Sequence, residues 1–318
     1  MNDLMEKEKS YFRNACHMDD ASAAFAARQL NHVRAQVLQT KKPPLNAFTV
    51  FPVQTDIPAG AETATQLIYD AAGMAQIITN YSDDLPRVDV LAAEIPVKVK
   101  TLGIAYGFTK QEVENAMFAR VNLSAMKAVQ ARRGIDVTLN ELAWKGDAKH
   151  NLIGFLNNKN ISEYTLKADG TGSSMKFEDK TPKQIVRDIK EIINVVHKAT
   201  KGVQKVDTLL LSTDVYTHLT STEKNEYSNI TIMDYIRGVF PTLKRVIEVS
   251  ELDGAGDDGK DILVAGAFMP ENVKLEIPKR FDQLPVQERN LEFIVNCTAR
   301  AVGVTVSDPV AFVRVVGV

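Results

Sequence analysis

Between Phe48 and Phe108 the chain carries four prolines, Pro52, Pro58, Pro86 and Pro96, set among β-branched and aromatic residues. A proline lacks an amide proton and fixes φ, so no long helix fits this stretch, and its neighbours favour extended backbone. The pattern predicts strand, tip, strand. Arms over 65–79 and 93–108 flank the polar tip Asn80, Tyr81, Ser82, Asp83, Asp84, Leu85, Pro86 and Arg87. Each arm would reach roughly 50 Å at about 3.3 Å per residue. A two-stranded excursion of that length buries little apolar surface of its own and is marginal in isolation. It must therefore fold down on its own domain or rest against another chain.

A helix is predicted directly afterwards. Thr109, Lys110, Gln111 and Glu112 form a capping box, in which the threonine hydroxyl and the Glu112 carboxylate each satisfy an amide that a helix start leaves unpaired. Val113, Ala116, Met117, Val121, Ser124, Ala128, Ala131, Ile135 and Leu142 then continue a face at three- and four-residue spacing. The spacing predicts about 50 Å of helix, at 1.5 Å per residue. Gly134 is its weakest point, either a hinge or the glycine that closes a first helix behind Arg132 and Arg133. Trp144, Lys145, Gly146 and Asp147 read as the helix exit, before the apolar step Leu152 to Leu156.

Residues 166–180 are loop-like, and Thr181-Pro182 starts a second unit with proline at the first helical position. That unit alternates: helix 182–199, strand 208–212, helices 213–220 and 230–240, and strands 245–250 and 262–265. Such an order predicts a small sheet with helices packed on it. Partly alternating runs from Val273 to Val318 read as further strands that close the first sheet. Residues 1–42 are polar and alanine-rich, with an amphipathic helical period from Ala21 to Leu38 that ends at Pro43-Pro44. The fold class is α+β, in five stretches: an N-terminal arm (1–47), a strand and hairpin (48–108), a long helix and its surroundings (109–181), a mixed αβ unit (182–265) and returning strands (266–318).

Composition narrows function by exclusion. With 318 residues, 45% hydrophobic and 25% charged, this is a folded chain and not a disordered or fibrous one. No run approaches the roughly 20 apolar residues that span a bilayer, and the start MNDLMEKEKSYFRN lacks a signal-peptide core, so a cytoplasmic place of synthesis and no membrane partner are expected. A formal net charge of -2 gives no overall basic field for tight nucleic-acid binding. Cys16 and Cys297 stand far apart and are expected as free thiols.

The motifs that resemble chemistry weaken on inspection. Gly254 to Gly259 fits GxGxxG, but a strand is expected after it where a dinucleotide site needs a helix, and Asp257, Asp258 and Asp261 would repel phosphate. The same segment fails as a calcium loop, with Ala255 at position three and Val264 where the bidentate glutamate belongs. His17, His32, His150, His197 and His218 are dispersed and make no metal-binding spacing. Asp147 and His150 can interact, yet no nucleophile element accompanies them. Neighbouring Asp83 and Asp84 point to opposite sides of an extended chain and suit salt bridges to arginine better than acid–base work. No catalytic, cofactor or metal residue is expected.

Arm, extended hairpin, long helix, small αβ unit and returning strands, in that order, resemble the Hong Kong 97 type capsid fold of tailed phages, shared by encapsulins. The local wording is closer still. Phe51-Pro52-Val53 with Ile57-Pro58-Ala59-Gly60, Asp84-Leu85-Pro86-Arg87-Val88-Asp89-Val90, Phe108 to Ala116, Lys127-Ala128, Trp144 to Asp147 and Ile153 to Asn158 resemble a phage major-capsid family over roughly residues 48–160.

The resemblance implies an E-loop within 60–108 that overlaps a neighbour, a peripheral P domain with the 109–143 helix as its spine, and an axial A domain at about 182–265. It implies intersubunit contacts by Asp83, Asp84, Arg87 and Asp89. Thr109 and Glu112 become the cap and Gly134 the hinge of the spine, and Trp144 with Asp147 its exit. The implied partners are further copies in hexamers and pentamers, portal, scaffolding and decoration proteins, and double-stranded DNA held without sequence preference. The location implied is the virion capsid, assembled in the host bacterial cytoplasm. Related shells that cross-link use an E-loop lysine, but Asn80 to Glu94 holds none, while Lys98 and Lys100 follow on the returning arm. A non-covalent shell is expected. The alternatives are an encapsulin-type compartment enclosing enzymes, and an αβ enzyme using Asp147, His150 or the 254–259 loop.

Overall fold

Pro52 and Pro58 fall in irregular backbone, and Pro96 lies in a strand paired on one side only, the setting that tolerates a missing amide. The computed structural model describes residues 42–72, 89–119, 123–225, 228–256, 259–290 and 292–318. The short helix α1 (Ala47–Val50) and strand β1 (Val53–Gln54) lead into β2 (Thr63–Ala72). This strand pairs antiparallel with β3 (Asp89–Lys98), Thr63 opposite Lys98 and Ala72 opposite Asp89.

The returning arm is shorter than its sequence suggests. It ends at Lys98, and buried Val99 separates it from β4 (Lys100–Thr109), which belongs to another sheet. Along β4 the side chains of Leu102, Ile104, Tyr106 and Phe108 turn alternately inward. Their cross-strand neighbours on the C-terminal strand are Ala299, Cys297, Val295 and Phe293. Apolar alternation on both strands gives β4 a core face, so the arm divides where burial becomes available.

Helix α2 (Lys110–Ala119) follows, then α3 (Leu123–Trp144), with residues 120–122 outside the described part. The expected single helix from 109 to 143 is thus two described helices. Helix α3 runs unbroken through Gly134, so no helix end stands there. Ala131, Ile135, Leu139, Leu142 and Ala143 line its buried face. After Trp144 the chain reverses through β5 (Gly146–Asp147), a 3-10 turn and β6 (Leu152–Ile153), and then enters β7 (Ser162–Thr165).

Helix α4 (Pro182–Ala199) begins at a capping box of Thr181 and Gln184 and buries Ile185, Ile189, Ile192 and Val196. Strand β8 (Thr208–Leu211), α5 (Thr213–Ser221), β9 (Glu223–Asn225), β10 (Ser228–Thr231), α6 (Ile232–Val239), β11 (Arg245–Glu248) and β12 (Ile262–Gly266) complete the unit. The chain then forms β13 (Val273–Glu276), β14 (Lys279–Gln283), β15 (Gln287–Arg289), β16 (Glu292–Ala301), β17 (Gly303–Val306) and β18 (Phe312–Val316).

The last strands do not return as one block. Strands β1, β13 and β17 make one small sheet, and β4, β14, β15 and β16 another. Strand β18 instead inserts between β12 and β7 in the order β11-β8-β12-β18-β7. Both the boundary at residue 265 and the placing of 162–165 with the long helix are therefore corrected. The reason is burial on both faces. Leu210 and Val264 point into a core with α3, whereas Leu209, Leu211, Leu263 and Ala265 point into a second core with α4. The all-apolar Phe312-Val313 and Val315-Val316 around Arg314 suit such a doubly covered sheet better than a one-sided edge.

Candidate functional site

The hairpin departs from the rest of the fold at a defined base. Gln66 Nε2 donates to Ser307 Oγ at 2.6 Å, and the Val99 amide donates to the Glu62 carbonyl at 2.9 Å. Beyond that base β2 pairs with β3 alone among the described residues, and Leu67 is half exposed. Ten paired residues reach about 33 Å. Asp89 opens β3 opposite Ala72. Asp83, Asp84 and Arg87, expected at the tip, lie outside the described residues.

The expected helix cap has the hydrogen bonds of a capping box. The Thr109 amide donates to Glu112 Oε2 at 3.1 Å, and the Glu112 amide donates to Thr109 Oγ1 at 3.2 Å. These bonds and the Lys127 ammonium hold the Glu112 carboxyl below its usual range. What they cap is α2, and the described part of α3 follows from Leu123. Gly134 has a packing reason: a Cβ there would lie 2.9 Å from Ile104 Cδ1, so its bareness lets β4 approach the helix.

Trp144, fully buried, ends α3 among Phe51 and Phe155, with ring centroids 5.0 and 6.2 Å away. Gly146 has φ 69°, and a Cβ on it would meet the Leu152 carbonyl at 2.3 Å, so this reversal requires glycine. Asp147 accepts from the Lys149 amide at 2.8 Å and lies 2.5 Å from His150 Nδ1, which is the main cause of its lowered carboxyl pKa. His150 is exposed and Asp147 partly so, and the pair serves a turn. The Gly254 amide donates to Asp261 Oδ1, and strand β12 follows the loop. Among the described residues no cluster of metal-binding side chains occurs, and burial pushes the Cys297 thiol up, away from nucleophilic use.

Apolar exposure marks surfaces instead of a pocket chemistry. Phe118 on α2 is 93% exposed, Val203 79%, and Val129, Ile153 and Val286 are more than half exposed. Beside α3, Phe48, Leu139, Ile277 and Phe281 line a groove of about 400 Å³ rimmed by Arg132, Asp136 and Arg280. Burial raises the Asp136 carboxyl above its usual range, although Arg132 and Arg133 pull it down. Sequence reading passed over this groove; the i, i+4 spacing of Arg132 and Asp136 was its one available signal.

Two polar networks were also missed. Asn140, buried on α3, accepts from the Ala47 amide and donates to Glu251, which also takes Asn46. Lys180 and Asp188 form a fully buried pair at 2.6 Å, extended by Arg187 and Asp169. The first joins residues too distant in sequence to be matched by spacing, and the second joins a helix to the loop before it.

The comparisons with known proteins agree with this architecture. The capsid of Myoviridae phage XM1 superposes with a TM-score of 0.77 at 17% identity, over 92% of this chain and 98% of that one. The capsid of an empty GTA particle gives 0.64 at 10% identity, over 94% and 99%. A virus-like particle from Pyrococcus furiosus gives 0.54 at 13%, over 84% and 90%. No curated protein matches by sequence. The family model described as "Major capsid protein" matches residues 73–318. The chain belongs to the major capsid protein family, and its function is to build the shell of a phage head.

Proposed function

We propose that this chain assembles into hexamers and pentamers of an icosahedral head around double-stranded DNA, with no catalytic step, cofactor or metal. The supporting observation is the hairpin, two ten-residue strands that pair with each other and, among the described residues, with no other strand. In this reading the hairpin is the E-loop laid over an adjacent subunit, α3 is the spine of the P domain, and the unit around 182–265, with β7 and β18 added, forms the axial contacts. Asp89 and the tip residues Asp83, Asp84 and Arg87 make intersubunit contacts. Obligate contacts of this kind bury roughly 2,000–5,000 Å² or more. Portal, scaffolding and decoration proteins are the further partners, DNA contact is non-specific, and assembly takes place in the host bacterial cytoplasm. The shell is held without a lysine cross-link at the tip.

Expression followed by sedimentation and negative-stain electron microscopy tests the reading. Closed particles or capsomers are expected, and a chain that stays monomeric at high concentration refutes it. The alternative is an encapsulin-type compartment, and the TM-score of 0.77 to the phage XM1 capsid favours the phage head over it. Cargo enzyme in place of DNA within particles from their native source would favour the compartment.

A further inference from the structure

Helix α4 buries Ile185, Ile189, Ile192 and Val196 on one side, and at the same three- and four-residue spacing its other side carries Lys183, Arg187, Lys190, Asn194, His197 and Lys198. Lys183, Lys190, His197 and Lys198 are exposed, and so is Lys201 in the turn that follows. The helix has two carboxylates, and both are engaged. Buried Asp188 pairs with Lys180 and Arg187, while Glu191 takes Lys167 Nζ at 2.6 Å and the Tyr164 hydroxyl at 3.0 Å. Lys183, Lys190, Lys198 and Lys201 make no ion pair among the described residues. In a chain with a formal net charge of -2, this is a local row of one sign and not a sample of the whole surface.

Helix electrostatics do not account for the row. Cations in the last turn complement the helix dipole, which explains Lys198, but Lys183 stands in the first turn, where positive charge is unfavourable. Like charges three and four residues apart, as in Lys183 with Arg187 and Arg187 with Lys190, also destabilise a helix. A polyanion relieves both penalties. Lys183 to Lys198 spans about 22 Å at 1.5 Å per residue, and a DNA duplex carries about one charge per 1.7 Å of its axis. Helix α4 contains no Phe, Tyr or Trp on which an unpaired base could stack, and lysines are point charges without the fork that reads a base edge. The match is therefore to a duplex backbone, without preference for sequence.

We propose that this face of α4, with Lys201, is where the chain meets the phosphates of the double-stranded DNA inside the shell. The proposal rests on the reading that the head surrounds double-stranded DNA, and it assigns the surface that faces the genome.

Unassembled full-length chain and a short fluorescent DNA duplex give the first readout, by anisotropy over a range of salt. Four phosphate contacts predict a slope of log affinity against log salt of about −3.6, roughly a 100-fold loss between about 50 and 200 mM. The combined variant Lys183→Gln/Lys190→Gln/Lys198→Gln/Lys201→Gln should lose that dependence, and two unrelated duplex sequences should bind the unmodified chain alike. A control with the exposed lysines of other elements replaced, Lys110→Gln/Lys145→Gln/Lys149→Gln/Lys159→Gln, should keep it. A neutralised variant that binds like the unmodified chain, a control that loses as much, or a chain that binds polyglutamate and no duplex overturns the proposal. The second arm uses intact particles of unmodified chain and an amine-reactive ester coupled to a dextran too large to enter a closed shell. Mass spectrometry should find the four lysines unlabelled until the shell is opened. Labelling in intact particles puts the row on the outside, overturning the proposal and leaving the capsid reading intact. If the unmodified chain forms no particle, both fall.

Discussion

Removing the Asp188 carboxylate should destabilise the chain more than removing its partner Lys180, and the geometry gives the difference. Lys180 Nζ is completely buried and lies 2.6 Å from Asp188 Oδ2, with Asp169 Oδ1 3.6 Å away as its other carboxylate. In Asp188→Ala a buried ammonium keeps only that longer contact. Breaking a buried pair from one side costs about 3–5 kcal/mol, and the remaining Asp169 contact places this case near 3. In Lys180→Met the buried carboxylate keeps Arg187, whose Nε and Nη2 donate to Asp188 Oδ1 at 3.0 and 2.6 Å. The cost there should be about 1–2 kcal/mol, close to the loss of one charge-assisted hydrogen bond.

Urea unfolding of unassembled chain, followed by far-UV circular dichroism, measures the contrast. With a slope near 3 kcal/mol/M, Asp188→Ala lowers the midpoint by about 1 M and Lys180→Met by roughly a third to two-thirds of that. The double variant Lys180→Met/Asp188→Leu should recover most of the loss, since an apolar pair of similar volume needs no solvation. A Lys180→Met midpoint as low as that of Asp188→Ala would refute the reasoning, because it would mean that Arg187 does not compensate the carboxylate.

Gly134→Ala sets a helix-propensity gain of about 1 kcal/mol against crowding of Ile104, so stability should stay within about 1 kcal/mol and assembly should persist. Unchanged stability with lost particles, by thermal melt and electron microscopy, would return Gly134 to the role of hinge. The pH dependence has a definite sign. The carboxyls of Glu112, Asp169 and Glu191 are held low, chiefly by the Thr109 amide, Arg187 and Lys167 respectively, so their stabilisation is present above the unfolded carboxylate pKa near 4 and fades as pH falls through their folded values. Urea midpoints should therefore drop between about pH 5 and 3. Asp136 acts oppositely, its raised value favouring the fold below the unfolded pKa and losing that benefit as pH rises through the folded one, so Asp136→Asn should raise the pH 7 midpoint of unassembled chain.

Local chemistry made much of this protein legible. The prolines placed the extended stretch, Thr109 and Glu112 the start of α2, Thr181-Pro182 the start of α4, and Trp144 to Asp147 the reversal, because each is decided by backbone constraints within four residues. The resemblance carried by residues 48–160 supplied the family. Tertiary structure decided the rest, since it depends on which buried faces meet. It divided the returning arm at Val99, where β4 finds β16. It sent β18 away from its sequence neighbours into the sheet of β8 and β12, because that sheet is covered on both faces. It gave Gly134 a contact with Ile104 that helix propensity cannot register. It also assembled the Asn140 and Asp188 networks and the groove at Asp136, the last from segments as far apart as Phe48 and Phe281, a separation at which spacing holds no information.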